Sequence, residues 1–198
     1  MVRRKNVNWL NLTPYPRIFM TDLVRTPDPV EIIKKLNSDT AVIFRHYQSE
    51  NKEKIAHQLM QVARTKKITL LVSGDYQLTR KIDADGLHIP EYLLYGEKSV
   101  DVFRNIKPQW MVTAAVHSMR ALKRAEKLGV DAVLVSPVFK TKSHDTANPI
   151  GVLGLAKFVQ QTRLPVFALG GVTEKNKKRV YKTGAAGFAG IGHFSDIK

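Results

Sequence analysis

The chain alternates short apolar runs with amphipathic stretches from Arg17 onward. Most of the apolar runs are continuous and are not interleaved with polar residues, which is typical of parallel strands buried on both faces. The runs therefore predict eight strands, at residues 17–21, 41–45, 68–73, 86–89, 111–116, 131–136, 166–170 and 188–192.

Helix signals fill the segments between the predicted strands. Pro29 stands where a first helical residue is expected. Ser49, Ser118 and Thr173 each precede a helical stretch and are predicted N-caps. Strand, turn, cap and helix in repetition predict βαβ units, and eight units in one domain predict an α/β fold, the (β/α)8 TIM barrel. Since six residues follow Gly192, we expect a truncated last helix.

The length of 198 residues suits one domain. We place the TIM-barrel domain at residues 17–198, behind a basic N-terminal segment at residues 1–16. We expect no membrane partner, because no apolar run approaches the roughly 18 residues of a membrane helix. The chain has no cysteine, which excludes disulfides and thiolate metal sites and agrees with the cytoplasmic location that we expect.

A net charge of +15 is the unusual bulk property of the chain. Such an excess favours acidic partners, which are phosphorylated small molecules, nucleic acid or anionic lipid. The basic residues are spread over predicted amphipathic helices, where a charged outer face is normal. No nucleic-acid module motif accompanies them, so we expect no specific nucleic-acid partner. The sequence leaves the oligomeric state open.

Glycines close the last two predicted strands, where barrels of this type commonly bind phosphate. Gly170, Gly171 and Gly192 have no side chain, so their N–H groups could approach phosphate oxygens. Thr173 would begin a helix whose positive end favours an anion. The alternative is that the glycine pair only makes a tight turn, and of the two we favour the phosphate site.

The long loop after the sixth strand, residues 137–151, offers hydroxyl and ammonium groups. Thr141, Lys142 and Ser143 could close over a bound anion as a lid. The alternative is an ordinary solvated loop, which we favour for Lys140 and His144 taken singly.

Charged and titratable residues follow the earlier strands. Arg45 could meet an anionic partner, and an ion pair with Asp22 or Asp75 is the alternative. Asp75 could hold Mg²⁺ on a pyrophosphate, or it could cap the helix that starts there. His117 is an open candidate for an acid–base group or ligand, whereas we expect His88 to be a core residue.

These strand-end residues, in this order, resemble the thiamine phosphate synthase and TenI family over about residues 17–194. The motifs that carry the resemblance are IFMTD (18–22), ADGLHI (84–89), VHS (116–118), GVDAVLVSPVFKTKS (129–143), PIG (149–151), PVFALGGVT (165–173) and GAAGFAGI (184–191). Members of the family are (β/α)8 barrels. Its synthases join a pyrimidine pyrophosphate to a thiazole phosphate and release pyrophosphate with the help of Mg²⁺.

The resemblance implies roles for the residues at the strand ends. It assigns the thiazole phosphate to Gly170, Gly171 and Gly192, with Thr141 and Ser143 in the lid and His117 in the substrate site. It assigns the pyrophosphate to Arg45 and Lys142 as catalytic cations. It also assigns Mg²⁺, the implied cofactor, to Asp75, which matches one of the two metal-binding aspartates.

The chain departs from the synthase motif on the pyrophosphate side. Ile43 and Tyr47 replace the glutamine and lysine of a Gln-x-Arg-x-Lys motif, and Leu93 replaces the second metal aspartate. Pro137 stands where the TenI-type tautomerase has its acid–base histidine. With these departures, the resemblance still implies a synthase that couples hydroxymethylpyrimidine pyrophosphate to thiazole phosphate. The first alternative is a TenI-like thiazole phosphate binder, tautomerase or regulator without coupling activity.

A third hypothesis comes from another class of enzyme. Barrel aldolases also bind phosphate and form a Schiff base through a lysine near the sixth strand. Lys140 and Lys142 lie beyond that strand and not on it, so we rank the aldolase last.

Overall fold

A computed structural model describes residues 16–46, 50–96, 107–141 and 148–195, so residues 1–15 of the basic segment lie outside it. Within these ranges the strands are β1 (Arg17–Met20), β2 (Thr40–Phe44), β3 (Leu70–Ser73), β4 (Gly86–Ile89), β5 (Met111–Val116), β6 (Ala132–Val135), β7 (Val166–Leu169) and β8 (Gly187–Gly190). They form a closed parallel barrel in the order β1 to β8. The predicted (β/α)8 fold is confirmed.

Helices follow the strands along the described parts of the chain. They are α1 (Pro29–Lys35), α2 (Lys52–Lys66), α3 (Tyr76–Lys81), α4 (Met119–Leu128), α5 (Gly151–Gln160), α6 (Lys177–Tyr181) and α7 (Gly192–Ser195), and a 3₁₀ helix (Glu91–Tyr95) follows β4. The last helix, α7, has four residues, as expected for a truncated element. Within the described ranges, no helix is long and apolar enough to cross a membrane.

The described residues group into two compact units. The first unit contains β1 to β3, α1 to α3 and α7. The second unit contains the 3₁₀ helix, α4 to α6, β6 and β7.

Apolar side chains of the strands form the core of each unit. In the first unit all five residues of β2 are buried, and Val42 pairs in register with Leu70 of β3. In the second unit all four residues of β6 are buried, and Leu134 pairs with Phe167 of β7. Burial on both faces of a strand explains why these runs read as continuously apolar in the sequence.

Two of the predicted helix signals are confirmed. Pro29 is the first residue of α1, behind Asp28, whose side chain accepts the Glu31 N–H at 3.1 Å. Ser118 is the N-cap of α4, and its hydroxyl accepts the Ala121 N–H at 3.1 Å. In each case a side-chain oxygen satisfies an N–H group that has no partner within the helix.

The other two predicted N-caps are wrong. The N-cap of α2 is Asn51, and Ser49 lies outside the described residues. The helix after β7 begins at Lys177 with Asn176 as its N-cap, three residues later than the N-cap predicted at Thr173. The chain between Thr173 and Asn176 is instead a turn in which Thr173 donates its N–H to Asn176 Oδ1 at 2.8 Å.

Candidate functional site

Two guanidinium groups meet one carboxylate just beyond β1 and β2. Asp22 Oδ2 accepts a hydrogen bond from Arg25 and another from Arg45, each at 2.9 Å. The backbone of Arg45 is also fixed, because its N–H donates to the hydroxyl of the buried Thr21 at 2.9 Å. Arg45 therefore forms the ion pair with Asp22 that the sequence left as an alternative.

The arginines keep Asp22 ionised. The hydrogen bond from the Arg25 side chain lowers the pKa of Asp22 far below its usual range, although burial opposes this effect, and the charges of Arg25 and Arg45 add to it. Within this group of three side chains, positive charge exceeds negative charge. A multiply charged anion is the kind of ligand that such an excess attracts.

Asp75 lies between β3 and α3, and both of its carboxylate oxygens accept hydrogen bonds. Oδ1 accepts the Leu78 N–H at 2.9 Å, which makes Asp75 the N-cap of α3. Oδ2 accepts a hydrogen bond at 2.8 Å from the ammonium of Lys52, the first residue of α2. Partial burial would raise the pKa of Asp75, but the bonds from Lys52 and Leu78 outweigh burial and lower it.

These surroundings do not fit a magnesium ion. Mg²⁺ takes oxygen ligands in octahedral geometry, whereas Oδ2 of Asp75 faces an ammonium group that repels a dication. Across the described ranges, no group of three His, Asp or Glu side chains could hold a metal ion. Leu93, in place of the second metal aspartate, is apolar and 40% exposed. The helix cap is what the geometry shows, and magnesium at Asp75 stays a prediction from the resemblance.

A pocket of about 170 Å³ opens beside the pair of Lys52 and Asp75. Its polar lining comes from His46 after β2, from Ser73 and Gly74 at the end of β3, and from the ion pair itself. The volume is well above the roughly 10–15 Å³ that one water molecule needs. A small anion therefore fits between these side chains.

His46 lines this pocket, and its buried ring nitrogens lack hydrogen-bond partners among the described residues. The residue as a whole is 3% exposed. Burial lowers the pKa of His46, while the charge of Asp22 opposes this and that of Arg45 reinforces it, so the ring is neutral at pH 7. A buried polar group without a partner costs free energy, which makes His46 a candidate for contact with a ligand.

His88, in β4, is the core residue that the sequence predicted. It is 2% exposed, and burial, followed by the charge of Arg45, lowers its pKa to about 3. The ring is therefore neutral at physiological pH. Its backbone carbonyl accepts the Gly74 N–H at 2.9 Å, which ties β4 to the turn after β3.

In the second unit, Gly170 and Gly171 make a tight turn after β7. Their φ angles of 95° and 66° lie in the region that glycine adopts without strain. A Cβ at Gly171 would lie 2.4 Å from the carbonyl oxygen of Lys140, because the loop after β6 packs directly on this turn. Asn176 also holds the turn, since its Nδ2 donates to the Gly171 carbonyl at 2.9 Å.

The turn keeps backbone donors available. The N–H groups of Gly171 and Val172 find no acceptor among the described residues. The glycine pair is thus a tight turn, as the alternative had it, and it also retains the donors that the phosphate prediction requires.

The structure gives less information on the other predicted phosphate ligands. Gly192, in the first unit, is the exposed first residue of α7, and a Cβ there would meet nothing within 4 Å. Thr141 is half-buried at the edge of a described range. Lys142 and Ser143 lie outside the described residues, together with His144.

His117, directly after β5, is oriented by the chain after β6. Its Nδ1 lies 2.8 Å from the Ser136 carbonyl oxygen and 3.2 Å from the Ser136 hydroxyl. A carbonyl only accepts, so this contact places the proton on Nδ1 and makes Nε2 the basic nitrogen. The backbone N–H of His117 donates to the Glu91 carboxylate.

Three residues near these groups were missed or left without a role by the sequence. The sequence predicts no role for Lys52, the first residue of α2, or for His46, which lies two residues after β2. Asn176 falls within the helix that is predicted to follow Thr173. A signal exists for Asn176, since asparagine after a glycine pair favours a turn over a helix. None exists for Lys52, whose partner Asp75 is 23 residues away.

Comparison with known proteins identifies the relatives of this chain. The model of the TMP-TENI family, described as thiamine monophosphate synthase, matches residues 26–194. A candidate thiamine-phosphate synthase 2 from Aquifex aeolicus is 36% identical over 71% of this chain and 74% of its own. The thiamine-phosphate synthase of Lactococcus lactis subsp. lactis is 30% identical over 89% of this chain and 82% of its own.

A solved structure agrees with these matches. A thiamine phosphate pyrophosphorylase from Pyrococcus furiosus superposes with a TM-score of 0.75 at 28% identity. The alignment covers 90% of this chain and 86% of that one. Sequence and fold thus point to the same group of relatives.

Proposed function

The chain belongs to the thiamine monophosphate synthase family, and we propose that it acts as a thiamine-phosphate synthase. Such a transferase joins hydroxymethylpyrimidine pyrophosphate to thiazole phosphate and releases pyrophosphate. Within the family, the observation that carries the proposal is the set of cations at the ends of β1 to β3. Arg45 is bonded there to Asp22, and Lys52 to Asp75.

The proposed reaction is a dissociative displacement. The bond between the pyrimidine methylene carbon and the pyrophosphate oxygen breaks, and its electron pair leaves with pyrophosphate. The lone pair of the thiazole nitrogen then attacks the resonance-stabilised methylene carbon. Arg45 stabilises the charge that develops on pyrophosphate, because a preorganised cation needs no rearrangement at the moment of reaction. Lys142 is proposed for the same role on the resemblance alone.

For the thiazole phosphate we propose the backbone of Gly170, Gly171 and Gly192. The support is the N–H group of Gly171, which has no acceptor within the described ranges, and the positive φ angles of the glycine pair. Thr141 and Ser143 are proposed to cover the phosphate. His117 is proposed to contact the substrate through Nε2.

We propose small phosphorylated molecules as partners and a cytoplasmic location. A net charge of +15 favours such anionic ligands. Binding to nucleic acid is proposed to be unspecific and to weaken steeply as the salt concentration rises.

One observation favours a second function, a TenI-like protein that binds thiazole phosphate without coupling it. Ile43 is fully buried where the synthase motif has glutamine, and Leu93 is apolar where it has aspartate. Neither side chain can hydrogen-bond a pyrimidine or ligate a metal. The turn at Gly170 and Gly171, which is proposed for the phosphate, contains neither residue.

Product formation decides between the two functions. Purified protein is incubated with both substrates and Mg²⁺, and thiamine phosphate is measured by liquid chromatography and mass spectrometry. A synthase forms the product, and Arg45→Met lowers the rate about 100-fold because it removes a fixed charge at the leaving group. The control is Arg17→Met, since Arg17 also pairs with an aspartate, Asp39, at 2.8 Å. Bound thiazole phosphate without product would establish the binder.

A further inference from the structure

Lys52 and Asp75 form an ion pair that neither the motifs nor the resemblance predicts. Lys52 opens α2, and its ammonium reaches Asp75 Oδ2, beyond β3, at 2.8 Å. The side chains are 39% and 29% exposed, so both contact solvent at the mouth of the 170 Å³ pocket. The pair thus forms part of the wall of an open cavity.

The ammonium lies where it opposes binding of a dication at Asp75. One carboxylate oxygen of Asp75 accepts a hydrogen bond from the Leu78 N–H, and the other accepts one from Lys52. A metal ion would have to displace the ammonium or accept its repulsion at close range. Lys52 already supplies positive charge at this carboxylate.

The start of α2 adds to this positive charge. Asn51, the N-cap, makes no side-chain hydrogen bond to the first turn. A lysine at the first position also adds to the positive end of the helix dipole. Glu53, the acidic residue of that turn, is paired with Lys81 at 2.6 Å.

A second observation points to a ligand in the pocket. His46 is 3% exposed, and neither of its ring nitrogens has a partner among the described residues. Its neutral ring carries one N–H donor, which can bond to an anion oxygen, and one acceptor nitrogen. An ammonium and an imidazole N–H are the donors expected at a phosphoryl group.

We propose that Lys52 binds the pyrophosphate group directly and takes the place of a divalent metal at Asp75. Asp75 is then a positioning residue, which holds the ammonium and caps α3. His46 donates a hydrogen bond to the same ligand. The inference rests on the proposed function for the identity of the ligand as a pyrophosphate, and its test uses binding and not turnover.

Inorganic pyrophosphate is titrated into the full chain by calorimetry, first in EDTA and then with Mg²⁺. The parent protein is expected to bind pyrophosphate in EDTA. Lys52→Met should weaken this binding by about tenfold or more, because it removes a charged hydrogen bond. Lys52→Arg should restore much of the affinity. The matched control is Lys34→Met, which breaks an exposed lysine–glutamate pair within α1, at the last turn of that helix, and should leave affinity unchanged.

Asp75→Asn separates the two roles of the carboxylate. Asparagine caps a helix as well as aspartate, so α3 is expected to stay intact. If Lys52 binds the anion, removing the opposing charge strengthens binding in EDTA, by about fivefold for a partly exposed pair. If Asp75 holds a metal, the same variant instead loses a Mg²⁺-dependent part of the affinity.

Each outcome counts for or against the proposal. Pyrophosphate that binds only with Mg²⁺, or equally well to Lys52→Met and the parent, overturns the role of Lys52. If the parent protein forms thiamine phosphate in that case, the synthase function holds and only the role of Lys52 is overturned. Conversely, Lys52-dependent binding in a protein that forms no thiamine phosphate keeps the site and removes the synthase function.

Discussion

At the scale of single residues, cations determine the state of both aspartates in the first unit. Asp22 is held by Arg25 and Arg45, and Asp75 by Lys52. In both cases the lowered pKa keeps the carboxylate ionised, so each cation stays in place at neutral pH. These pairs orient the positive groups that the proposed pyrophosphate would meet.

The ionised Asp22 carboxylate is expected to stabilise the fold in a pH-dependent way. Its pKa is lowered from 3.8, so its contribution is complete above that value and is lost as pH falls towards the lowered pKa. Asp22→Asn should lower the free energy of unfolding by about 1–3 kcal/mol at pH 7. Urea denaturation of both proteins at several pH values measures the difference.

That difference should shrink as the solution is acidified below about pH 4, the ordinary range of an aspartate. Protonation of His88 affects both proteins alike, because burial and Arg45 set its lowered pKa. The charge of Asp22 raises the pKa of His46, so in the variant this pKa is lowered further. A difference that stays constant down to the lowest pH at which both proteins fold would contradict the ion-pair account.

Gly171 is expected to tolerate no side chain. Gly171→Val places a Cβ 2.4 Å from the Lys140 carbonyl oxygen and forces a β-branched residue to a φ of 66°. We expect a loss of about 2 kcal/mol or more in the free energy of unfolding, measured by urea denaturation. Gly192→Ala is the control, because a Cβ there meets nothing within 4 Å. Equal stability of the two variants would disprove the tight turn.

At the scale of elements, Ser118 and Thr173 look alike in the sequence but differ in the structure. Both follow an apolar strand and precede a helical stretch. Ser118 caps α4 with a hydrogen bond of 3.1 Å, whereas the helix after Thr173 begins only at Lys177. The glycine pair and Asn176 favour a turn after β7, and this turn delays the helix.

Alanine substitutions test this difference directly. Ser118→Ala should cost about 1 kcal/mol in the free energy of unfolding, the usual value of an N-cap. Thr173→Ala should change it by less than about 0.5 kcal/mol, because an exposed hydroxyl without a cap bond contributes little. Chemical denaturation of the two variants beside the parent measures both values. A larger loss of stability for Thr173→Ala would show that Thr173 acts as an N-cap.

At the scale of the whole molecule, the barrel was predictable because strands that are buried on both faces are continuously apolar in the sequence. Runs such as residues 41–45 and 131–136 are continuously apolar, and repetition of that signal fixes the strand count. The turn at Gly170 and Gly171 was predictable because it depends on local backbone chemistry, and the pair of Arg45 and Asp22 was one of the predicted alternatives. The contact between Lys52 and Asp75 joins a helix start to a strand end, so it depends on tertiary packing that no local pattern encodes.

The central claim is that this chain couples its two substrates. Phosphorus NMR follows both of them in one sample with catalytic amounts of protein, from mixing to completion. The account predicts that pyrophosphate and thiamine phosphate appear one to one as both substrates disappear. Pyrophosphate without thiamine phosphate, or substrates that persist while thiazole phosphate binds, would contradict it.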